Sequence, residues 1–330
     1  MTEFELIARY FERPARSALV GQGDDAAVIA PSPEHAFVVT TDNLVLGRHF
    51  LPRLTPQRLG RRLVAVNLSD LAAMAATPRF ALLGLTLPEA DPAWAAAFAE
   101  GLFAALDEAK VELIGGNTTR GPLAVGMTVF GEVPLAAGRP LTLLRSGAQP
   151  GDDVWVSGAL GDAGWACLCL LGRIPATPAA HQIERYEQPE ARVGLGLAIR
   201  HVATSAIDIS DGLVSEARHV ARASGVAIDI EAVLLPTGLG AHLDDPATQS
   251  YAWHCLLATG DAYELLFTAP PGARSRIEAL LAEHAPEGRR IGYVRTGNAP
   301  VGCVRVLDRD GVDRAPAAGG WDHFSGRQYV

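Results

Sequence analysis

Two hydrophobic periods, one near 2 and one near 3.6 residues, alternate along both halves of this chain, and that alternation restricts the fold more than any other feature. Residues 36–42 (AFVVTTD), 80–87 (FALLGLTL) and 122–134 (PLAVGMTVFGEVP) read as strands. Between them Thr55-Pro56 and Asp91-Pro92 open helices with proline at the first helical position. Thr2 and Glu5 form a capping-box pattern ahead of Ile7, Tyr10 and Phe11, so a short helix begins the chain. VELIGGNTTRG (111–121) reads as a strand running into a glycine turn. Turn residues then cluster in RSGAQPGDD (145–153), and the pattern starts again. DVWVSGALGDAGWACLCLL is strand, glycine turn and helix. AIDIS, VAIDIEAVLLP, AYELLFTAP, RRIGYVR and GCVRVLDRDG read as strands. DGLVSEARHVARAS, SYAWHCLLATG and ARSRIEALLAEHA read as helices. The expectation is an α/β (α+β) chain of two sheet-based domains, 1–148 and 149–330.

Composition narrows the function classes. With 48% hydrophobic and 20% charged residues the sequence builds cores, yet no apolar run approaches the ~18 residues of a membrane span. The first residues, MTEFELIARYF, are acidic and amphipathic, unlike a secretory signal. The four cysteines, Cys167, Cys169, Cys255 and Cys303, form no CxxC pair and no dense framework, which suits a reducing cytoplasm. A net charge of −9 argues against nucleic acid as the main partner. The single lysine, Lys110, falls at a helix end in DEAKVEL, and there is no GxxxxGK[ST] loop. Any nucleotide phosphate must therefore be held by metal ions, arginines and backbone N–H groups. Candidates are Gly115, Gly116 and Asn117, with Arg120, Arg145 and Ser210.

Acidic residues recur where strands end or turns begin: Asp24 and Asp25 in GQGDDAAV, Asp42 behind Thr40 and Thr41, Asp208 and Asp211 in IDISDG, and Asp261 in TGDAYE. Asp70 stands in NLSDLAAMAA (67–76), beside an apolar stripe of Leu63, Val66, Leu71 and Met74. A carboxylate next to such a surface is costly without a compensating partner. Singly, each acid has a plain explanation as turn former or helix cap. Together they point to a magnesium site with several ions, because oxygen ligands without a Cys/His cluster suit Mg²⁺, and Mg²⁺ on few carboxylates takes phosphates as further ligands. Among the histidines, His49 follows the Asp42 strand, while His219 and His254 read as structural or solvated. Trp321 in GGWDHF is a core plug or a stacking surface.

In order along the chain, GDDAAV, TTDNLVLGRHF, AVNLSDLAAM, LIGGNTTRGP, LTLLRSGAQPGD, AIDISDGL, GDAYELLFT and the late DHF resemble the bacterial thiamine-monophosphate kinase family, within the aminoimidazole ribonucleotide synthetase-like superfamily. The resemblance implies an N-terminal α/β domain that binds ATP and magnesium and pairs its sheets across a homodimer, followed by a C-terminal α/β domain. It implies transfer of the γ-phosphoryl of ATP to the phosphate of thiamine monophosphate. By motif, Asp25, Thr40, Thr41, Asp42, Asp70, Asn117, Asp208 and Asp211 would hold the Mg²⁺ ions, with Asp70 bridging, and Asp42, Asp70 and Asp211 at the centre of catalysis. Gly116, Asn117, Arg145 and Ser210 would contact ATP. His49, Asp261 and Trp321 would contact thiamine monophosphate. Two departures stand out: Asn117 where many members carry Asp, and Ala262 where they carry a second acid after Asp261. The alternatives are a sister synthetase of the superfamily and a nucleotide-binding regulatory protein that has lost catalysis.

Overall fold

The structure, a computed structural model, describes residues 1–297, 299–317 and 320. The chain forms two compact units: Met1–Leu71 with Ala76–Leu141, and Ala72–Ala75 with the chain from Thr142 onward. The changeover at 141/142 lies a few residues before the turn cluster at 145–153, because Leu144 already accepts a hydrogen bond from Ala206 N of the second sheet.

The N-terminal unit contains α1 (Glu3–Tyr10), β1 (His35–Val45), α2 (Pro56–Ala73, whose last residues count with the second unit), β2 (Thr77–Leu87), α3 (Pro92–Glu108), β3 (Glu112–Arg120), β4 (Ala124–Ala136) and the short β5 (Arg139–Pro140). Thr2 and Glu5 close a reciprocal capping box on α1, and the Asp91 carboxylate caps α3 by accepting from Ala93 N and Trp94 N. The strand order is β1-β4-β2-β3, with β5 on β4. Only β2 and β3 run parallel, and α3 is the crossover that a parallel pair requires. α2 and α3 approach closely at two glycines: a Cβ on Gly60 would lie 2.4 Å from Phe98 O, and one on Gly101 would lie 1.8 Å from Gln57 O. Their inward faces bury Leu59, Leu63, Leu71, Phe98 and Leu102, each at 1% exposure or less. Full burial of such side chains contributes about 1.5–3 kcal/mol apiece.

The sequence suggests that β3 stops at its glycines, but it runs through them to Arg120. The pairing with β2 slips by one residue at Ala81/Leu82: Ile114 is the extra residue of the bulge, and Gly115 and Gly116 follow it paired with Leu82 and Leu83. Gly116 cannot be replaced freely, since a Cβ there would meet Leu83 O at 2.1 Å.

The second unit contains β6 (Asp153–Val156), α4 (Asp162–Leu170), α5 (Ala180–Glu187), α6 (Val193–Ile199), β7 (Ser205–Asp208), α7 (Leu213–Ser224), β8 (Ile228–Glu231), α8 (Gly240–Asp244), α9 (Gln249–Ala258), β9 (Leu265–Ala269), α10 (Arg274–His284), β10 (Arg289–Val294) and β11 (Val304–Leu307). Its sheet has the order β11-β8-β10-β6-β9-β7 and is antiparallel except for β11 with β8. Alternate residues feed opposite faces, as a strand's period of two requires. Val154, Val156, Ile207, Ile228 and Ile230 pack with Leu213, Val214 and Val220 of α7. Trp155, Ala206 and Phe267 pack with Leu195 and Ile199 of α6 and Ile277 and Leu281 of α10. The long strand read from VAIDIEAVLLP is shorter in the structure: after Glu231 the chain turns into a 3₁₀ helix, Ala232–Leu234.

Candidate active site

In the N-terminal unit β1 and α2 are fastened together by polar side chains. Thr40 and Asp42, two apart on the strand, share the face that meets Asn67 and Asp70, three apart on the helix. The Thr40 hydroxyl donates to Asp70 Oδ2 at 2.6 Å. Asp42 N donates to Asn67 Oδ1 at 2.9 Å, and Asn67 Nδ2 donates to Leu63 O one turn back. Asn67 is fully buried. Asp70 is half-buried, and among the described residues its carboxylate is neutralised by no arginine or histidine. The strand then ends in a tight turn in which Val45 N donates to His49 Nδ1 at 3.0 Å, leaving that nitrogen as an acceptor. The buried guanidinium of Arg62 reaches His49 O from α2 at 3.3 Å.

The opposite face of the same sheet borders a cleft of about 790 Å³. Thr41, Gly116, Asn117 and Asp25 line it. Asp25 and Asn117 are exposed, while the Thr41 hydroxyl donates to Met127 O at 3.0 Å. The loop carrying Asp25 is tied down by Gln22, whose Nε2 donates to Phe11 O and Leu113 O. Residues adjacent in the sequence thus divide between two faces: Thr40 and Asp42 lie on the helix side, Thr41 on the cleft side.

In the second unit the DISDG turn after β7 lies along the segment that leads into β9. Asp261 N donates to Ser210 O (3.0 Å), Tyr263 N to Ile209 O (2.8 Å) and Ile209 N to Glu264 O (2.7 Å). These bonds bring Asp208, Ser210, Asp211 and Asp261 into one neighbourhood. Asp261 and Tyr263 adopt left-handed backbone, with φ of 68° and 50°. Such conformations cost on the order of 1 kcal/mol each, and the surrounding bonds hold them. Glu264 anchors the segment from below. It is buried and receives a two-pronged hydrogen bond from Arg192, at 2.8 and 2.7 Å, together with one from the Ser157 hydroxyl.

Arg145 sits elsewhere. Its carbonyl accepts from the Ser224 hydroxyl at the last residue of α7, about 17 Å along that helix from Leu213 at its start. Its exposed side chain lies near enough to His219 that burial, Arg145 and Arg222 together hold that imidazole below its ordinary pKa. Arg120 donates to Pro88 O and is exposed. Trp321 lies outside the described residues.

Sequence reasoning passed over Asn67, Glu264 and Glu216. Asn67 was legible as an uncharged polar residue on an otherwise apolar helical face. Glu216 is 3% exposed; its Oε1 accepts from Asp211 N at 3.3 Å, and its Oε2 is buried with no hydrogen-bond partner. Burial first, and then the charges of Asp211 and Asp208, push its carboxyl up to about 9. Among the described residues no three acidic, histidine or cysteine side chains stand close enough to chelate a metal unaided. The donors offered are nevertheless those magnesium takes: carboxylates, hydroxyls and an amide oxygen. Asp70, with only a hydroxyl for company, and the orphaned Glu216 oxygen are the kind of uncompensated groups a cation relieves.

These features place the chain in a class. Residues 23–133 match the family described as AIR synthase related protein, N-terminal domain. Over its full length the likeness narrows. It is 39% identical over 331 residues to the thiamine-monophosphate kinase of Salmonella typhimurium, with 98% of each chain covered. The crystal structure of thiamine-monophosphate kinase from Stenotrophomonas maltophilia K279a matches with a TM-score of 0.77 at 40% identity, over 91% of this chain and 94% of that one. AaThiL complexed with AMPPCP and TMP matches with a TM-score of 0.72 at 30% identity, over 89% of each chain. The chain belongs to the thiamine-monophosphate kinase family.

Proposed function

We propose that this protein phosphorylates thiamine monophosphate with ATP, giving thiamine diphosphate and ADP as the last step in making that coenzyme, in the cytoplasm. An oxygen of the acceptor phosphate attacks the γ-phosphorus in line, and the bond from that phosphorus to the β,γ-bridging oxygen breaks. The acceptor is already ionised, so no strong general base is needed; positioning and charge neutralisation are what the protein must supply. Asp25, Thr40, Thr41, Asp42, Asp70, Asn117, Asp208 and Asp211 would hold several Mg²⁺ ions. Bound there, the ions would offset the charge that builds on the phosphoryl oxygens. Gly116, Asn117, Ser210 and Arg145 are assigned to ATP. His49 and Asp261 are assigned to thiamine monophosphate.

The observation that carries this reading is Asp70. Among the described residues, a half-buried carboxylate on an otherwise core-facing helix is left with one hydroxyl partner and no arginine, in a chain related to these kinases from end to end. On the cleft side of the N-terminal sheet Val39 of β1 is 53% exposed, and Val28, in the segment ahead of that strand, is 48% exposed. Exposed apolar side chains here support pairing with a second copy. The test is ³¹P NMR of the purified protein with ATP, Mg²⁺ and thiamine monophosphate. Thiamine diphosphate and ADP should rise in equal amounts; ADP without thiamine diphosphate would overturn the acceptor assignment.

A further inference from the structure

One carboxylate oxygen in the second unit has no function in the scheme above. Glu216 lies one turn into α7 at 3% exposure, and its Oε2 is buried without a hydrogen-bond partner. Its other oxygen receives Asp211 N–H at 3.3 Å, so the side chain is fixed against the turn that carries Asp208 and Asp211. Asp208 is itself 5% exposed. A buried polar oxygen left unpaired costs about 1–3 kcal/mol, and two neighbouring acids add to the cost. Something that donates hydrogen bonds or carries positive charge belongs beside it.

Direct chelation by all three acids is not the answer, since no three described acidic side chains lie within chelating range. Mg²⁺ offers another route, because it sheds water reluctantly and is usually held by one or two carboxylates with several waters kept. We infer that Glu216 is a positioning residue for a hydrated cation carried by Asp208 and Asp211: Oε2 accepts a hydrogen bond from a metal-bound water while Oε1 fixes the Asp211 backbone. This rests on the magnesium reading given under the proposed function. Groups that orient a metal's ligands and waters in this way typically change affinity by about 10- to 100-fold when removed.

The test is titration of the intact protein with Mn²⁺, reading free Mn²⁺ by electron paramagnetic resonance. Wild type, Glu216→Gln, Asp211→Asn and the double variant are compared. Glu216→Gln keeps an oxygen for Asp211 N–H but replaces Oε2, the proposed acceptor, with an NH2 donor. It should weaken one class of site about tenfold or more, and it should add little once Asp211→Asn has removed that class. Glu216→Asp, which keeps the charge and withdraws it by one methylene, should weaken the same class and serves if the Gln variant does not fold. Wild-type affinity in Glu216→Gln, or a loss that adds in full to that of Asp211→Asn, overturns the inference. A wild type whose Mn²⁺ binding is indifferent to Asp211→Asn overturns the magnesium assignment of this turn, and the role of Glu216 with it.

Discussion

Replacing Glu264 by alanine removes the acceptor for both prongs of Arg192, for the Ser157 hydroxyl and for Arg185 Nη1 at 3.4 Å. The Glu264 side chain is 3% exposed and that of Arg192 10%, so the pair is dry. Burial alone would pull Arg192 down, but Glu264 more than offsets this and raises it above its ordinary range. Breaking such a pair from one side costs about 3–5 kcal/mol, because the surviving charge stays buried. Arg192 would keep Glu190, whose side chain is 76% exposed, and the more distant charge of Glu287. For a unit of roughly 190 residues each kcal/mol lowers the melting temperature by about 2–4 °C, so the expected fall is about 6–20 °C. Scanning calorimetry reads it directly, and Asp107→Ala, which breaks the exposed pair with Arg13, should leave the transition where it was. Arg192→Ala combined with Glu264→Ala should cost much less than the two single changes added together. A fall of under about 2 °C, or strict additivity, would refute the claim that this pair holds the Asp261 segment in place.

Asp70→Asn keeps an oxygen for the Thr40 hydroxyl and should fold normally, yet lose on the order of 10²–10³ in turnover; near-normal turnover at limiting Mg²⁺ would remove Asp70 from the metal set. The protein should sediment as a dimer at micromolar concentration, and a monomer there would count against pairing through the N-terminal sheet. Burial holds the His254 imidazole below its ordinary pKa of 6.5, so below that pH the unfolded chain takes up a proton the native one refuses. Stability should therefore fall as pH drops below about 6.5, and His254→Gln should flatten that slope in urea titrations; an unchanged slope would show that His254 is not its source.

Much of the architecture was legible because it rests on local rules: Thr2 with Glu5 and Asp91 with Pro92 each announce a helix, and AFVVTTD cannot be anything but a strand. The helices α5, α6 and α8 were missed. α6, VGLGLAI, is an apolar run without a polar face to reveal its period, and α8 is a single turn. The acids of the candidate site could be picked out one by one, but not their facing: the pleat of β1 sends Thr40 and Asp42 to α2 and Thr41 to the cleft. Nor could the strand pattern show that Arg145 lies at the far end of α7 from Ser210, since that depends on which edge of β7 the 142–144 segment joins. Glu216 and Glu264 drew no notice in the sequence because a glutamate in a helix or before a strand is usually solvated, and only tertiary packing buries these two.

Magnesium dependence reaches the heart of the proposed chemistry. Thiamine diphosphate formation would be followed at fixed ATP while Mg²⁺ is raised through and past one equivalent of ATP, for the wild type beside Asn117→Asp. If ions beyond the one carried by ATP sit on these carboxylates, the rate keeps climbing after that equivalence point. An amide oxygen holds Mg²⁺ less strongly than a carboxylate does, so Asn117→Asp should reach half its maximum at a lower Mg²⁺ concentration with similar turnover at saturation. A rate that levels off at one Mg²⁺ per ATP, or no thiamine diphosphate at any concentration, would contradict phosphoryl transfer at a site of several magnesium ions.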